Sequence, residues 1–300
     1  MNNIILFLMN EKGYFVLKNL TQYGMSKSIR YVVTAEDKGM LIDFSKDIRE
    51  LCNVFNIAVY NKNDMIPDHE RCLGIAIGWR WIINDENLKL IVLHDSLLPK
   101  YRGFSPLVNM LINGEKEIGV TALIAEKDYD SGDIILQKSC NVTYPITIQE
   151  AIDKIKVLYF EIVEELLEQA LSKKVMLGKP QDESAATFSC WRDKLDYYID
   201  WKAFDSAKIE RFVNALGSPY NGAITTLNGI IIHVMKVISH DNYTVESPES
   251  NIGKVLFCRD GHAFVVCIKG LLEIVDAHYL NGDSIYPLSK FRSRFGNEIT

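Results

Sequence analysis

Two short stretches of this 300-residue chain combine side chains that can move a proton. The first is Ile91–Pro106, IVLHDSLLPKYRGFSP. An apolar run that reads as a strand ends there and delivers His94 into a loop with Ser96, Pro99, Lys100, Arg102 and Gly103. Ligands of open α/β sheets bind at the carboxyl ends of strands, and imidazole is the side chain suited to proton transfer near neutrality. A histidine so placed fits a reactive site as well as it fits an ordinary hydrogen-bonded position. The second stretch is Tyr129–Ile135, YDSGDII, where Asp130 and Asp133 flank Ser131–Gly132 ahead of a further strand. Taken alone, an Asx turn accounts for it.

The elements that must carry these loops are legible in the apolar pattern. Over the first 145 residues, short apolar runs (Ile4–Leu8, Arg30–Thr34, Ile57–Tyr60, Leu73–Ile77, Leu88–Leu93) alternate with helical stretches at Lys12–Tyr23 and Phe44–Phe55. That βαβα rhythm predicts a parallel sheet with helices on both faces, extended by Gly119–Ile124 and Ile134–Lys138. Thr147 and Glu150 form a capping-box signature before the stripe Ile148, Ile152, Ile155, Leu158, Ile162, Leu166, Ala170, a long core-facing helix. The polar stretch Leu177–Ser184 reads as the domain boundary. Beyond it, one helix at Lys208–Leu216 precedes about five short strands, and Asn228–Gly229 is a hairpin signal, so a small barrel or roll is expected.

Composition removes several classes. With 48% hydrophobic and 24% charged residues the chain is ordinary globular material. A net charge of −6 counts against a nucleic-acid binder. No run of 18 apolar residues exists, so no membrane span is expected, and the apolar start lacks the basic flank of a signal peptide. Six scattered cysteines without a CxxC pair point to a reduced, cytoplasmic compartment, and the dispersed histidines offer no zinc cluster.

Together, His94-Asp95-Ser96-Leu97-Leu98-Pro99 and Asp130-Ser131-Gly132, 36 positions after the histidine, resemble the HxSLLP and Asp-x-Gly motifs of the folate-dependent formyltransferases. The resemblance continues through Gln181–Thr187 (QDESAAT), Ile199-Asp200-Trp201 and Ser218–Ala223 (SPYNGA), so it spans nearly the whole chain. It is strongest to members that formylate an amino sugar carried on a nucleotide, and the methionyl-tRNA enzyme is the rival. It implies an α/β, Rossmann-like formyltransferase domain over 1–178 and a smaller β-rich, OB-like domain over 179–300. It implies N10-formyltetrahydrofolate as cosubstrate, no metal, His94 as proton shuttle and Asp130 as the group that orients the imidazole. Trp79 and Trp81, which could equally be plain core, would flank the pterin with Ser131 and Gly132 as folate contacts. Ser96, Lys100, Arg102 and Tyr220 would meet a dTDP- or UDP-linked amino deoxysugar, while Trp201 packs. Related sugar enzymes imply a homodimer, and the product would feed surface polysaccharide.

Two features separate this chain from the pattern. The family has an asparagine two residues before the histidine, where this chain has Val92. Residues two apart on a strand share a face, so Val92 sits beside His94 and offers no hydrogen bond to a developing oxyanion. Three outcomes are open: another donor (Ser96, a backbone N–H or protonated His94) replaces it, the enzyme is slow, or the protein only binds folate. Asn84 and Asn87 are near in sequence but strand geometry does not bring them to the place. Second, Glu36–Glu50 holds five acids against three bases, without the basic insertion that grips tRNA in the methionyl-tRNA enzyme.

Overall fold

The computed structural model describes residues 4–37, 42–67, 72–83, 85, 87–172 and 177–296. The chain alternates β1 (Ile4–Leu8), α1 (Asn10–Gln22), β2 (Ile29–Thr34), α2 (Ser45–Val54), β3 (Ala58–Asn61), β4 (Leu73–Ile77) and β5 (Lys89–His94). These five strands pair in parallel in the order β3-β2-β1-β4-β5. Strands β1 and β4 are buried at every position, which is why they read as unbroken apolar runs. Then come β6 (Arg102–Gly103), α3 (Pro106–Asn113), β7 (Glu117–Ile124) and β8 (Ile134–Asn141). Strand β7 adds antiparallel to β5 and β8 antiparallel to β7, giving a mixed seven-stranded sheet. The 125–133 connection is shorter than the dozen or so residues a parallel crossover needs, so β8 can only return antiparallel.

Helix α4 (Ile148–Leu171) opens on the expected capping box: Thr147 N–H donates to Glu150 Oε2 at 2.8 Å and Glu150 N–H to Thr147 Oγ1 at 3.2 Å. Its stripe from Ile148 to Leu166 is buried, and Ala170 is half-buried.

The chain divides into two compact units, one of Met1–Pro106, Glu117–Asn141 and Ile152–Cys190, the other of Leu107–Lys116, Val142–Ala151 and Trp191–Thr300. The boundary expected at 178/179 therefore falls inside the first unit. Residues 179–190 contribute β9 (Phe188–Ser189), which pairs in parallel with β6.

The second unit carries α5 (Ser206–Leu216), β10 (Ala223–Leu227), β11 (Ile230–His240), α6 (Pro248–Asn251), β12 (Val255–Arg259), β13 (His262–Val266), β14 (Leu271–Tyr279) and β15 (Phe295–Gly296). Its sheet runs β12-β13-β14-β11-β10-β15. A Lys254–Arg294 bridge, with Val255 N–H on Ser293 O at 3.0 Å and Phe295 N–H on Gly253 O at 2.7 Å, joins the two ends and closes it into a small barrel. Gly253 is required at that seam: it has φ +78°, and a Cβ there would lie 1.9 Å from Phe295 O. Asn228 and Gly229, both at positive φ, make the β10–β11 hairpin turn. Trp201 is buried and its Nε1–H donates to Thr225 Oγ1 at 2.8 Å, so it packs, as expected.

Candidate active site

His94 ends β5 and is 7% exposed. Its Nδ1 lies 3.4 Å from Asp130 Oδ1, and its Nε2 lies 2.8 Å from the carbonyl oxygen of Tyr101. The other carboxylate oxygen of Asp130, Oδ2, accepts the Gly103 N–H at 2.8 Å. The two stretches singled out on sequence thus meet through one carboxylate, between β5 and the loop that links β7 to β8. The Asp-x-Gly spacing has a backbone cause. Asp130 has φ +55°, and a Cβ on Gly132 would fall 1.9 Å from Ile124 O, so only glycine lets the chain turn back into β8 there.

The loop after His94 is fastened from two sides. Thr121 on β7 donates to Ser96 O at 2.6 Å and accepts the Leu98 N–H at 3.1 Å. Gln137, its register partner on β8, donates to Leu98 O and to Thr121 Oγ1, both at 2.9 Å. From the other side, Arg102 N–H donates to Thr187 O at 2.8 Å, Phe104 N–H to Ser189 O at 3.0 Å, and Tyr101 N–H to Thr187 Oγ1 at 2.9 Å. Thr121, Gln137 and Ser189 carried no signal in the sequence, because a polar side chain on a strand does not reveal which loop it serves.

Beneath the site lies a charged cluster that the sequence also did not announce. Asp95, next to His94, is bound by Lys12 Nζ from α1 and by the Tyr159 hydroxyl from α4, which also donates to Leu93 O at 3.2 Å. Burial drives the Asp95 carboxyl up, but the Lys12 ammonium and the hydrogen bonds from Lys12 and Tyr159 outweigh it and hold the group below the usual carboxylate range. Burial, then the neighbouring Asp95 anion, pushes the Tyr159 hydroxyl well up.

A model of the formyl transferase family matches residues 79–165, and one of the formyl transferase C-terminal domain matches 192–294. The chain belongs to the formyltransferase family. A methionyl-tRNA formyltransferase of Caldanaerobacter subterraneus subsp. tengcongensis is 29% identical over 280 residues, 89% of this chain and 85% of the relative. The fold matches that of WlaRD, a sugar 3N-formyl transferase solved with dTDP and 5-N-formyl-THF (TM-score 0.68, 21% identity, 94% of this chain and 98% of that one). It also matches an N-formyltransferase from Helicobacter canadensis in complex with folinic acid and dTDP-3-aminofucose (TM-score 0.68, 14% identity, 91% and 99%). At those identities the two structures speak for the fold.

Trp79 follows β4 and packs edge-on against Phe7 (ring centroids 5.4 Å apart) and Trp81 (5.3 Å). It shares its sheet face with Val92, over Ile5, Val33 and Leu90. Trp79 Nε1 is buried and has no hydrogen-bond partner among the described residues. Trp81 is 38% exposed, with Lys62 Nζ 3.8 Å above its ring. Ser131 turns its hydroxyl to Asp128 O at 3.1 Å. Lys100 is exposed. Tyr220 belongs to the second unit, its N–H on Gly217 O. Asn87 is exposed, and Asn84 and residues 38–41 lie outside the described residues.

Two assignments change. Ser96 is fully buried and gives its hydroxyl to Lys100 O at 2.7 Å, so it ties the loop rather than facing a substrate. Arg102, cast on sequence as a pyrophosphate contact, is 3% exposed and forks onto Glu183 at 2.7 and 2.9 Å, with two further bonds to Gln181. Its guanidinium is already engaged inside the wall of the site. Among the described residues no group of three or more His, Cys, Asp or Glu is placed to hold a metal.

Proposed function

We propose that this formyltransferase moves a formyl group from N10-formyltetrahydrofolate to the primary amine of a nucleotide-linked amino deoxysugar, first of all a dTDP-linked 3- or 4-amino-dideoxyhexose. The observation that carries the reaction is the His94 Nδ1–Asp130 Oδ1 approach of 3.4 Å at a strand end, in a shielded position. Asp130 holds the Nδ1 side of the ring and fixes its orientation. With the neutral ring's hydrogen on Nδ1, toward Asp130, and the Tyr101 carbonyl displaced, Nε2 takes the proton that the attacking amine loses and returns it to the departing nitrogen. Bound N10-formyltetrahydrofolate supplies the formyl carbon. The apolar face of Phe7, Trp79 and Val92, with a buried indole N–H that has no acceptor among the described residues, suits a flat heterocycle rich in acceptors.

Support for a sugar acceptor is the net charge of −6, the acidic balance of Glu36–Glu50, and the two fold matches solved with dTDP or a dTDP-sugar. The 29% identity to a methionyl-tRNA formyltransferase over most of both chains favours the second reading, formylation of a charged tRNA. We further read the enzyme as a homodimer acting in the cytoplasm; among the described residues no helix is long and apolar enough to cross a membrane. Purified protein with N10-formyltetrahydrofolate is offered dTDP- and UDP-amino sugars and, separately, methionyl-tRNA. Tetrahydrofolate release with one formyl mass added to a sugar is expected. Formylation of the tRNA alone supports the second reading, and no turnover with either leaves a folate-binding relative.

A further inference from the structure

Gln181 lies in the Gln181–Thr187 block and is not one of the proton-moving pair His94 and Asp130. Yet Gln181 uses its whole side-chain amide on the two halves of the site. Its Nε2 donates to Asp130 O at 2.8 Å and to Gly132 O at 2.7 Å. Its Oε1 accepts from Arg102 Nε at 3.1 Å and Nη2 at 2.9 Å. Two donors and two acceptor lone pairs are then all satisfied. The partners also fix which way the amide faces: reversed, its oxygen would oppose two carbonyl oxygens and its NH2 a guanidinium.

These bonds close a ring. Arg102 precedes Gly103, whose N–H holds Asp130 Oδ2 at 2.8 Å. The ring therefore runs from the Asp130 backbone through Gln181 and Arg102 to Gly103 and back to the Asp130 carboxylate. Glu183 anchors it from outside by its two bonds to Arg102. Asp130 needs such support, because at φ +55° a non-glycine residue sits in a sparsely populated conformation that persists only where the surroundings hold it.

We infer that Gln181 is a positioning residue for formyl transfer: it clamps the backbone on both sides of Ser131 and ties it to Arg102–Gly103, so that the Asp130 carboxylate stays set against His94. The inference rests on the proposed reaction for its kinetic consequence but not for its structural one.

The test is Gln181→Glu, which can still accept from Arg102 but can no longer donate to the two carbonyls. Without any substrate, the imidazole 15N resonances of His94 are expected to move in Gln181→Glu in the same direction as in Asp130→Asn. With substrates, kcat falls about tenfold to a hundredfold, the scale of a displaced catalytic group, while KM stays within about threefold. In an Asp130→Asn background, read with enzyme in excess, Gln181→Glu adds less than about twofold, because a residue acting through Asp130 has nothing left to position. Unmoved resonances, an unchanged kcat, or losses that multiply in the double variant overturn the inference. If the wild type turns over no acceptor, the proposed reaction fails, while the resonances still decide the role of Gln181. Should Gln181→Glu not fold, Arg102→Lys loosens the same ring from its other side and is read in the same ways.

Discussion

Replacing Asp130 with asparagine removes a charge and little else. Asparagine Oδ1 can still accept the Gly103 N–H that now reaches Asp130 Oδ2 at 2.8 Å, so the loop keeps its fastening. What is lost is the attraction between the carboxylate and the imidazolium that forms as the amine gives up its proton. At 3.4 Å, with an effective dielectric constant of about 20, two unit charges attract by about 5 kcal/mol. The side chains are only 8% and 12% exposed, so water screens the pair weakly. With Oδ1 turned to Gly103, the asparagine NH2 faces Nδ1 and recovers none of that attraction, so about 4–5 kcal/mol is missing from the transition state, or a kcat reduced by about a thousandfold or more. Initial rates of tetrahydrofolate release at saturating donor and acceptor measure it. KM should stay within about threefold, because the pair acts on the moving proton and not on ground-state binding. A kcat loss below about fivefold, or a rise in KM that accounts for the whole effect, would refute the assignment of Asp130 as the group that holds the ring.

Val92→Asn restores an amide beside His94 and should raise kcat by up to about a hundredfold if the missing donor limits the oxyanion; no gain in the same assay would show that the site already supplies its donor. Lys12→Met strips the Asp95 carboxylate of its cation, and removing one partner of a buried pair costs about 3 kcal/mol, a fall in melting temperature of about 6–12 °C for a chain of this size. Because Asp95 is depressed in the folded protein, its contribution is complete above the ordinary carboxylate range near pH 4 and is lost as pH falls through its lower folded value. The gap between variant and wild type in thermal melts should therefore be full at pH 7 and narrow in acid, and an equal gap at both would show that the charge pair is not its source.

How far the sequence spoke depended on where each constraint lies. Strands β1 and β4 were plain because burial on both faces leaves only apolar residues, and α4 because Thr147 and Glu150 declare its start. His94 and Asp130 stood out because each sits at the end or start of a strand in polar company. The reversal of direction at β7 was not legible, since a strand's own residues do not say which way its neighbour runs. Arg102 misled for a related reason. An arginine beside a reactive loop reads as a cation waiting for a phosphate, and nothing in its neighbourhood of the chain shows that Glu183 and Gln181 fold back to meet it. Lys12 was equally silent, because its partner Asp95 is distant along the chain and its helix is otherwise ordinary.

The vacancy beside Val92 can be narrowed by following the donors. Three substitutes for the family amide were open on sequence: Ser96, a backbone N–H, and His94 itself. Ser96 gives its hydroxyl to Lys100 O. From Lys100 to Phe104 every backbone N–H is engaged: Lys100 on Leu97 O, Tyr101 on Thr187 Oγ1, Arg102 on Thr187 O, Gly103 on Asp130 Oδ2 and Phe104 on Ser189 O. These bonds hold a loop in which Tyr101 and Ser105 both have positive φ, a conformation that costs a non-glycine residue on the order of 1 kcal/mol each. Turning one of those N–H groups toward an oxyanion would release the loop that positions His94. His94 Nε2 is itself held by the Tyr101 carbonyl at 2.8 Å, but the proposed reaction already frees it, so among Ser96, these five N–H groups and His94 it is His94 whose use breaks no further bond of the loop. In the proposed reaction it would then carry both the proton in transit and the charge of the oxyanion. A site so arranged depends on Asp130 more heavily than one with a separate amide. Val92→Asn should accordingly blunt the effect of Asp130→Asn, and the two substitutions together should be less than multiplicative in kcat.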